Sequence, residues 1–466
     1  MLLTMPAYLL DYRNEDVAAM INLLFLAITF LMIFKICKEY FNAKIAVLSC
    51  FILSVYPVIY VHMRGHLMDI CLTAIVTASM YVLLKCDGFR SPKYSMLLGS
   101  TMALGMWCRQ YYPVFILGPF IYVIYKSGVL FSVSRENSGH QSSLWEPRWN
   151  FLYCSIIALG LTAAWYLPNF KETLGLIFYN NSPEWAIKFM SSSMSSVGYF
   201  LIFFAILLTY NGLSFLFTFL FLSSGVRFFF FKSYKKFDIK KVFMWWILLP
   251  FLLITFSLNK QARFYSPALP AVAIISAWGI YQIRKRLLRG ICIGIILVVG
   301  FFQFFVDSFN VPLLYELSFR PLGRRKLVLF TVRQNHRTRG EDWKLREVLG
   351  LIKENMAQQR LHACTVMLLS DHKAFNANTL DYYSSKEELG IKFVSVAWIE
   401  DVSAAMKQRD FRYLIYKDKN NDAGILLNKQ RLSQAFSYLV GHSGEFKVIH
   451  RLSLDDNSHI VVYRRI

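Results

Sequence analysis

Six ionisable residues stand out in an otherwise apolar sequence. Arg64, His66 and Asp69 fall close together in HMRGHLMDICLTA, Arg109 lies in MWCRQYYP, and Lys260 and Arg263 lie in NKQARFYSPALPA. Ionisable groups near membrane depth are expensive and mark function by default. One carboxylate among several cations at a lipid–water boundary suits a reaction whose leaving group is a lipid-linked phosphate. Arginine forks bind phosphate oxygens bidentately and stabilise the charge that develops as the bond breaks. The carboxylate would take the proton of an incoming hydroxyl or hold a divalent metal cation, the one cofactor the sequence leaves open. Each residue alone also has a plainer reading. Arginines and lysines snorkel to headgroups, Asp69 caps a helix starting at Ile70, and His66 is an interfacial hydrogen-bonding side chain sooner than a metal ligand. Their common face favours the site.

The elements that must position these residues are hydrophobic spans. The 466-residue chain is 56% hydrophobic and 17% charged, with a mean hydropathy of +0.40, which excludes a purely soluble enzyme. Ten spans are expected at about 17–34, 45–61, 70–84, 94–108, 111–125, 151–167, 197–223, 242–258, 264–282 and 290–306. Positive charge gathers in cytoplasmic loops. Alternate loops hold 19 and 6 Lys or Arg, so the register puts all six candidate residues on the outer face, along with residue 1 and everything after the last span. No basic leader with a cleavage site opens the chain.

The formal net charge of +22 is spread along the chain, with 26 basic and 12 acidic residues through Asn310 and 25 and 17 after it, so no single basic patch suggests nucleic acid. Seven of the eight cysteines lie in the hydrophobic part, and neither a disulfide framework nor a CxxC metal site is present.

Composition changes near Val311, giving a transmembrane domain over 1–310 and an extracytoplasmic α/β domain over 311–466. Strand-like LVLFTV, TVMLLS, KFVSVAW and YLIYKD alternate with helix-like DWKLREVLGLIKENMAQQ, DVSAAMKQR and LNKQRLSQAFSYL. Asp342 is expected to cap the first of these helices, and DDNS at 455–458 to turn a closing hairpin. Residues 169–190 are expected to hold an interfacial helix, and the basic run 228–241 to anchor the inner face. Asp371 and His372, which follow a strand, are read as a solvated loop.

The order of these features resembles the GT-C class of membrane glycosyltransferases, in particular the group of dolichyl-phosphate-mannose protein mannosyltransferases and the bacterial lipid A aminoarabinose transferase. The stretch from EDVAAMINLL to HLMDICLTA is similar to the family's second to fourth helices. KQARFYSPALPAVAII is similar to its late Arg-aromatic, double-proline segment. GEDWKLREVLGLIKENM, LDYYSS and LDDNSHIVVYRR resemble the outer α/β domain.

The resemblance implies a polytopic α-helical membrane protein with a C-terminal extracytoplasmic α/β domain. Its activity would be inverting transfer of a sugar from a polyprenyl-phosphate donor to an extracytoplasmic lipid, polysaccharide or protein, with membrane lipids and no nucleic acid as further partners, in the cytoplasmic or inner membrane. Asp69 would be the acid of the active site, and Arg263 and Tyr265, with Lys260, would face the donor phosphate. Arg64, His66 and Arg109 join as substrate-binding residues from the reading of the residues themselves. Family members open with a helix and a large outer loop holding an acidic residue or pair, whereas Glu15 and Asp16 align with the start of the next helix, so a further helix and loop are expected upstream. A non-catalytic partner subunit of the same class is the alternative reading. A secondary transporter is less consistent with span interiors almost free of charge.

Overall fold

The computed structural model describes residues 15–64, 68–130, 145–180, 204–230, 239–257, 261–309, 318–319, 327–328, 342–372, 375–399, 401–407, 411–419, 421 and 426–466. Two compact units emerge, whose described residues fall within 15–328 and within 342–466. The short antiparallel pair β1 (Ser318–Phe319) and β2 (Leu327–Val328) groups with the first unit, although it lies beyond the expected change at 310/311.

The first unit is helical: α1 (Glu15–Tyr40), α2 (Ala43–Ser54), α3 (Pro57–Met63), α4 (Met68–Lys85), α5 (Pro92–Cys108), α6 (Pro113–Ser127), α7 (Trp145–Tyr166), α8 (Phe170–Asn180), α9 (Phe215–Phe230), α10 (Ile239–Phe256), α11 (Leu269–Tyr281) and α12 (Arg286–Phe309). Among the described residues, five helical segments are long and apolar enough to cross a membrane, and two bent pairs raise the number to seven, where the sequence suggested ten. The difference lies in α5, α6 and α7. The apolar helix α6 has 15 residues and α5 has 17, below the roughly 20 that a perpendicular span requires. α8 occupies the first half of the expected interfacial segment. Its second half and the basic stretch 231–238 lie outside the described residues.

Proline sets the break that shapes the site. Tyr56, preceding Pro57, is held extended at φ −69° and ψ 128°, and Pro57 opens α3, so α2 and α3 meet at 66°. The most enclosed elements are α4 and the run formed by a tight 3₁₀ turn at Ala262–Ala268 and α11, whereas α1 and α12 expose most of their surface. Apolar side chains all round a helix suit burial among other helices or in lipid. The 3₁₀ turn packs on α4 and α3, which brings the late Arg-aromatic segment onto the helix carrying Asp69.

The second unit is a five-stranded sheet in the order β4-β3-β5-β7-β6, with β3 (Cys364–Leu369), β4 (Ile391–Ser395), β5 (Tyr413–Lys417), β6 (Phe446–Ser453) and β7 (His459–Arg465). β3 pairs in parallel with β4 and β5, and the hairpin β6–β7 adds antiparallel to β5. Side chains alternate across a strand. Val366 and Leu368 therefore join α13 (Leu345–Gln358) and α14 (Ala377–Lys386) on one face, and Met367 and Leu369 join α15 (Val402–Lys407) and α16 (Leu426–Gly441) on the other. The turn at 455–458 falls where expected, with Asn457 at φ +58°. Asp342 is not the cap of α13: Lys344 holds that position at φ +53°, and Asp342 Oδ1 instead accepts the Lys344 N–H at 2.9 Å, closing a local turn ahead of the helix.

Candidate active site

Asp69 lies in the first turn of α4 and is wholly buried. The helix begins at Met68, so Asp69 is not a cap preceding Ile70. The N-terminal end of a helix nevertheless favours a carboxylate. Its Oδ1 accepts the Tyr111 hydroxyl at 2.8 Å. Its Oδ2 lies 3.9 Å from Arg263 Nη1, an ion-pair distance rather than a hydrogen bond, and this buried oxygen has no hydrogen-bond partner among the described residues.

Arg263 comes from the 3₁₀ turn and stacks on its neighbour Phe264, with its guanidinium carbon 5.3 Å from the ring centre. The Phe264 ring meets Tyr111 edge to face at 5.7 Å. Arg109 terminates α5 in an extended conformation, its N–H bonded to Gly105 O at 3.0 Å, and sets its guanidinium 5.9 Å from the Tyr111 ring. Tyr111 thus interacts with Asp69, Arg109 and Arg263 together. The Nε atoms of both arginines are buried without a hydrogen-bond partner among the described residues. A buried polar group left unpaired is penalised. Three such groups around one tyrosine form a place built to receive an oxygen-rich ligand. The two arginines and one carboxylate sum to a single positive charge.

The remaining sequence candidates go elsewhere. Arg64 ends α3, hydrogen-bonds Ser308 near the end of α12, and lies over the rings of Tyr60 and Phe304 at 5.9 and 5.6 Å. Tyr60 in turn donates to the buried Asp307. Arg64 therefore takes part in a tie between α3 and α12. Tyr265 does not face the arginines: its buried hydroxyl donates to Ile247 O at 2.8 Å, and its ring packs against Phe204 and Phe251. It seats the 3₁₀ turn on α10. His66 and Lys260 lie outside the described residues.

Sequence reasoning missed Tyr111 and Asp307. The available signal for Tyr111 was its place two residues after Arg109 in a polar turn. Asp307 was passed over because the expected span ended at 306. No group of three His, Cys, Asp or Glu that would hold a metal occurs among the described residues. Asp69 has one oxygen occupied by Tyr111 and the other facing an arginine, a donor set unlike the six to eight oxygens of calcium sites or the carboxylate clusters that hold magnesium. The described residues therefore do not fit a divalent cation.

Residues 2–135 match the sequence model of the dolichyl-phosphate-mannose-protein mannosyltransferase family. The crystal structure of ArnT from Cupriavidus metallidurans bound to undecaprenyl phosphate is similar over 98% of this chain and 86% of that one, at 12% identity and a TM-score of 0.57. Its apo state gives a TM-score of 0.54 at 13% identity, over 98% of this chain and 86% of that one. The Archaeoglobus fulgidus oligosaccharyltransferase tethered to an acceptor peptide is similar over 89% of this chain and 60% of that one, at 11% identity and a TM-score of 0.50. Comparison with curated proteins gave no match. The fold is of the GT-C type, and the chain resembles the membrane glycosyltransferases that share it.

Proposed function

We propose that this chain is a membrane glycosyltransferase that moves a sugar from a polyprenyl-phosphate donor to an acceptor outside the cytoplasm. The observation that carries the reading is the enclosed Asp69, held by Tyr111 and faced by Arg263, with one carboxylate oxygen and two arginine Nε atoms left unsatisfied among the described residues. A sugar–phosphate–lipid diester carries one negative charge, and the lipid monophosphate that leaves carries up to two. Arg109 and Arg263 meet that developing charge.

In the step, the acceptor hydroxyl oxygen attacks the anomeric carbon from the face opposite the phosphate. The bond from that carbon to the phosphate oxygen breaks, its electron pair stays on the phosphate, and the configuration inverts. The hydroxyl proton passes to Asp69 Oδ2, the oxygen without a hydrogen-bond partner among the described residues. The same reading counts α5, α6 and α7 as spans beside the five long segments and the two bent pairs, which restores ten. It places the basic loops in the cytoplasm and the β-sheet unit outside it.

The test uses the purified full chain in lipid nanodiscs with a panel of undecaprenyl-phosphate-linked pentoses and hexoses and a membrane extract as the acceptor source. Release of undecaprenyl phosphate from at least one donor is expected, with loss in Asp69→Asn and Arg263→Ala. Full activity in both variants would remove the site assignment. Absence of release from every donor would favour a non-catalytic partner.

A further inference from the structure

Tyr111 reaches Asp69 from a four-residue turn between α5 and α6 that also carries Arg109, and something must fix that turn. Its backbone closes through Arg109 N to Gly105 O and Tyr112 N to Arg109 O, both 3.0 Å. Tyr112 then folds its ring back over Gly105. A methyl group at position 105 would stand 2.2 Å from Tyr112 Cδ2 and 2.3 Å from Cε2, so the ring fits there only because residue 105 has no side chain.

Beyond Gly105 the Tyr112 hydroxyl meets Ser79 Oγ at 2.8 Å, with both residues buried. Ser79 donates its own proton to Ile75 O at 2.8 Å, so Tyr112 is the donor to Ser79. Adjacent tyrosines therefore bind one helix at two heights, Tyr111 at Asp69 and Tyr112 at Ser79. Those residues are ten positions apart on α4, about 15 Å along its axis. A turn tied at one height is free to pivot. Tied at two heights, it keeps Tyr111 against Asp69.

We infer that Tyr112, seated on Gly105 and hydrogen-bonded to Ser79, is a positioning residue for the reaction, acting through Tyr111 without touching substrate. The inference rests on the reading of Asp69 as the reacting carboxylate. Misplacing reacting groups by an ångström lowers turnover by about a hundredfold. Removing one hydroxyl while keeping the ring is a smaller disturbance.

The experiment compares wild type, Tyr112→Phe, Tyr111→Phe and the double variant, as full chains in nanodiscs, by the rate of undecaprenyl phosphate release across donor concentrations. Tyr112→Phe keeps the ring on Gly105 and the fold with it. Its kcat is expected to fall roughly tenfold with the donor KM within about twofold. In a Tyr111→Phe background the same change is expected to have almost no further effect, because residues acting through one another are non-additive. Gly105→Ala is expected to reproduce the fall in kcat. An unchanged kcat in Tyr112→Phe overturns the inference, and so does a loss that adds in full to that of Tyr111→Phe. A wild type inert toward every donor overturns the reading of the site and this inference with it, whereas an active wild type with additive losses overturns this inference alone.

Discussion

Tyr111 donates its hydroxyl proton to Asp69 Oδ1 across 2.8 Å, tying the turn after α5 to the first turn of α4. The bond leaves Oδ2 of the same carboxylate facing Arg263. One carboxylate is thereby oriented by a neutral donor on one oxygen and faced by a cation at the other, which has no hydrogen-bond partner among the described residues and is open to an incoming hydroxyl.

Asp69→Asn retains the shape and the Tyr111 contact but cannot take a proton. Transfer is expected to fall by about 10² to 10⁴, the range for loss of a general base. Affinity for undecaprenyl phosphate should hold or rise, since a negative charge leaves the site. Equal losses in affinity and turnover would assign Asp69 to binding instead.

Arg263→Lys tests the fork as distinct from the charge. Lysine offers a point charge on a flexible stem, and the stacking of a planar guanidinium on Phe264 is lost. Binding of undecaprenyl phosphate should weaken roughly tenfold, equivalent to about 1.4 kcal/mol, just under the range of about 1.5–3 kcal/mol for a hydrogen bond to a charged group. Binding unchanged in the lysine variant would show that charge alone suffices.

Tyr60→Phe removes the donor to buried Asp307 and loosens the tie between α3 and α12. Loss of a buried hydrogen bond to a charged group destabilises by about 1.5–3 kcal/mol. The melting temperature of the detergent-solubilised protein should fall by several degrees while affinity for undecaprenyl phosphate stays within about twofold. A large affinity loss without a melting shift would place Tyr60 in the binding site.

Acid should weaken the sheet unit at one identifiable point. Partial burial opposes the charge of Asp418, but the His459 backbone N–H at 2.7 Å and the His459 ring outweigh it and hold the carboxyl below its ordinary value of 3.8. A carboxylate depressed in the folded state binds fewer protons there than when unfolded. Its contribution is therefore complete well above that ordinary value and is lost as pH falls through the lower folded one. Between about pH 5 and pH 3, the wild type should lose more thermal stability than Asp418→Asn. Identical pH profiles for the two would remove the assignment.

Charge in an apolar setting was the legible signal. Asp69, Arg109 and Arg263 are rare ionisable residues at span ends, and the structure brings these three together although they are up to 194 positions apart. Tyr111 was not legible because tyrosines crowd membrane interfaces for many reasons, and only the fold shows which one points at a carboxylate. Arg64 reads like the others in sequence, yet its partner Ser308 is 244 residues away, and no local pattern encodes such a pairing. Tyr265 came by resemblance, and the Ile247 carbonyl claims its hydroxyl.

In the sheet unit, short apolar runs identified β3 and β5, because both are interior strands whose two faces are covered. The run LVLFTV gave a different result: its first two residues, Leu327 and Val328, pair within the helical unit, and the rest lies outside the described residues. A left-handed Lys344 ahead of α13 has no sequence signature, which is why Asp342 looked like the cap.

The central claim is that the Asp69 site receives a lipid phosphate through Arg109 and Arg263. The direct measurement is the affinity of the purified full chain for undecaprenyl phosphate, by native mass spectrometry, in wild type, Arg109→Gln, Arg263→Gln and the double variant. The account predicts saturable binding by wild type, weakening of about tenfold in each single variant and near loss in the double. Binding of equal strength in all four proteins would contradict it.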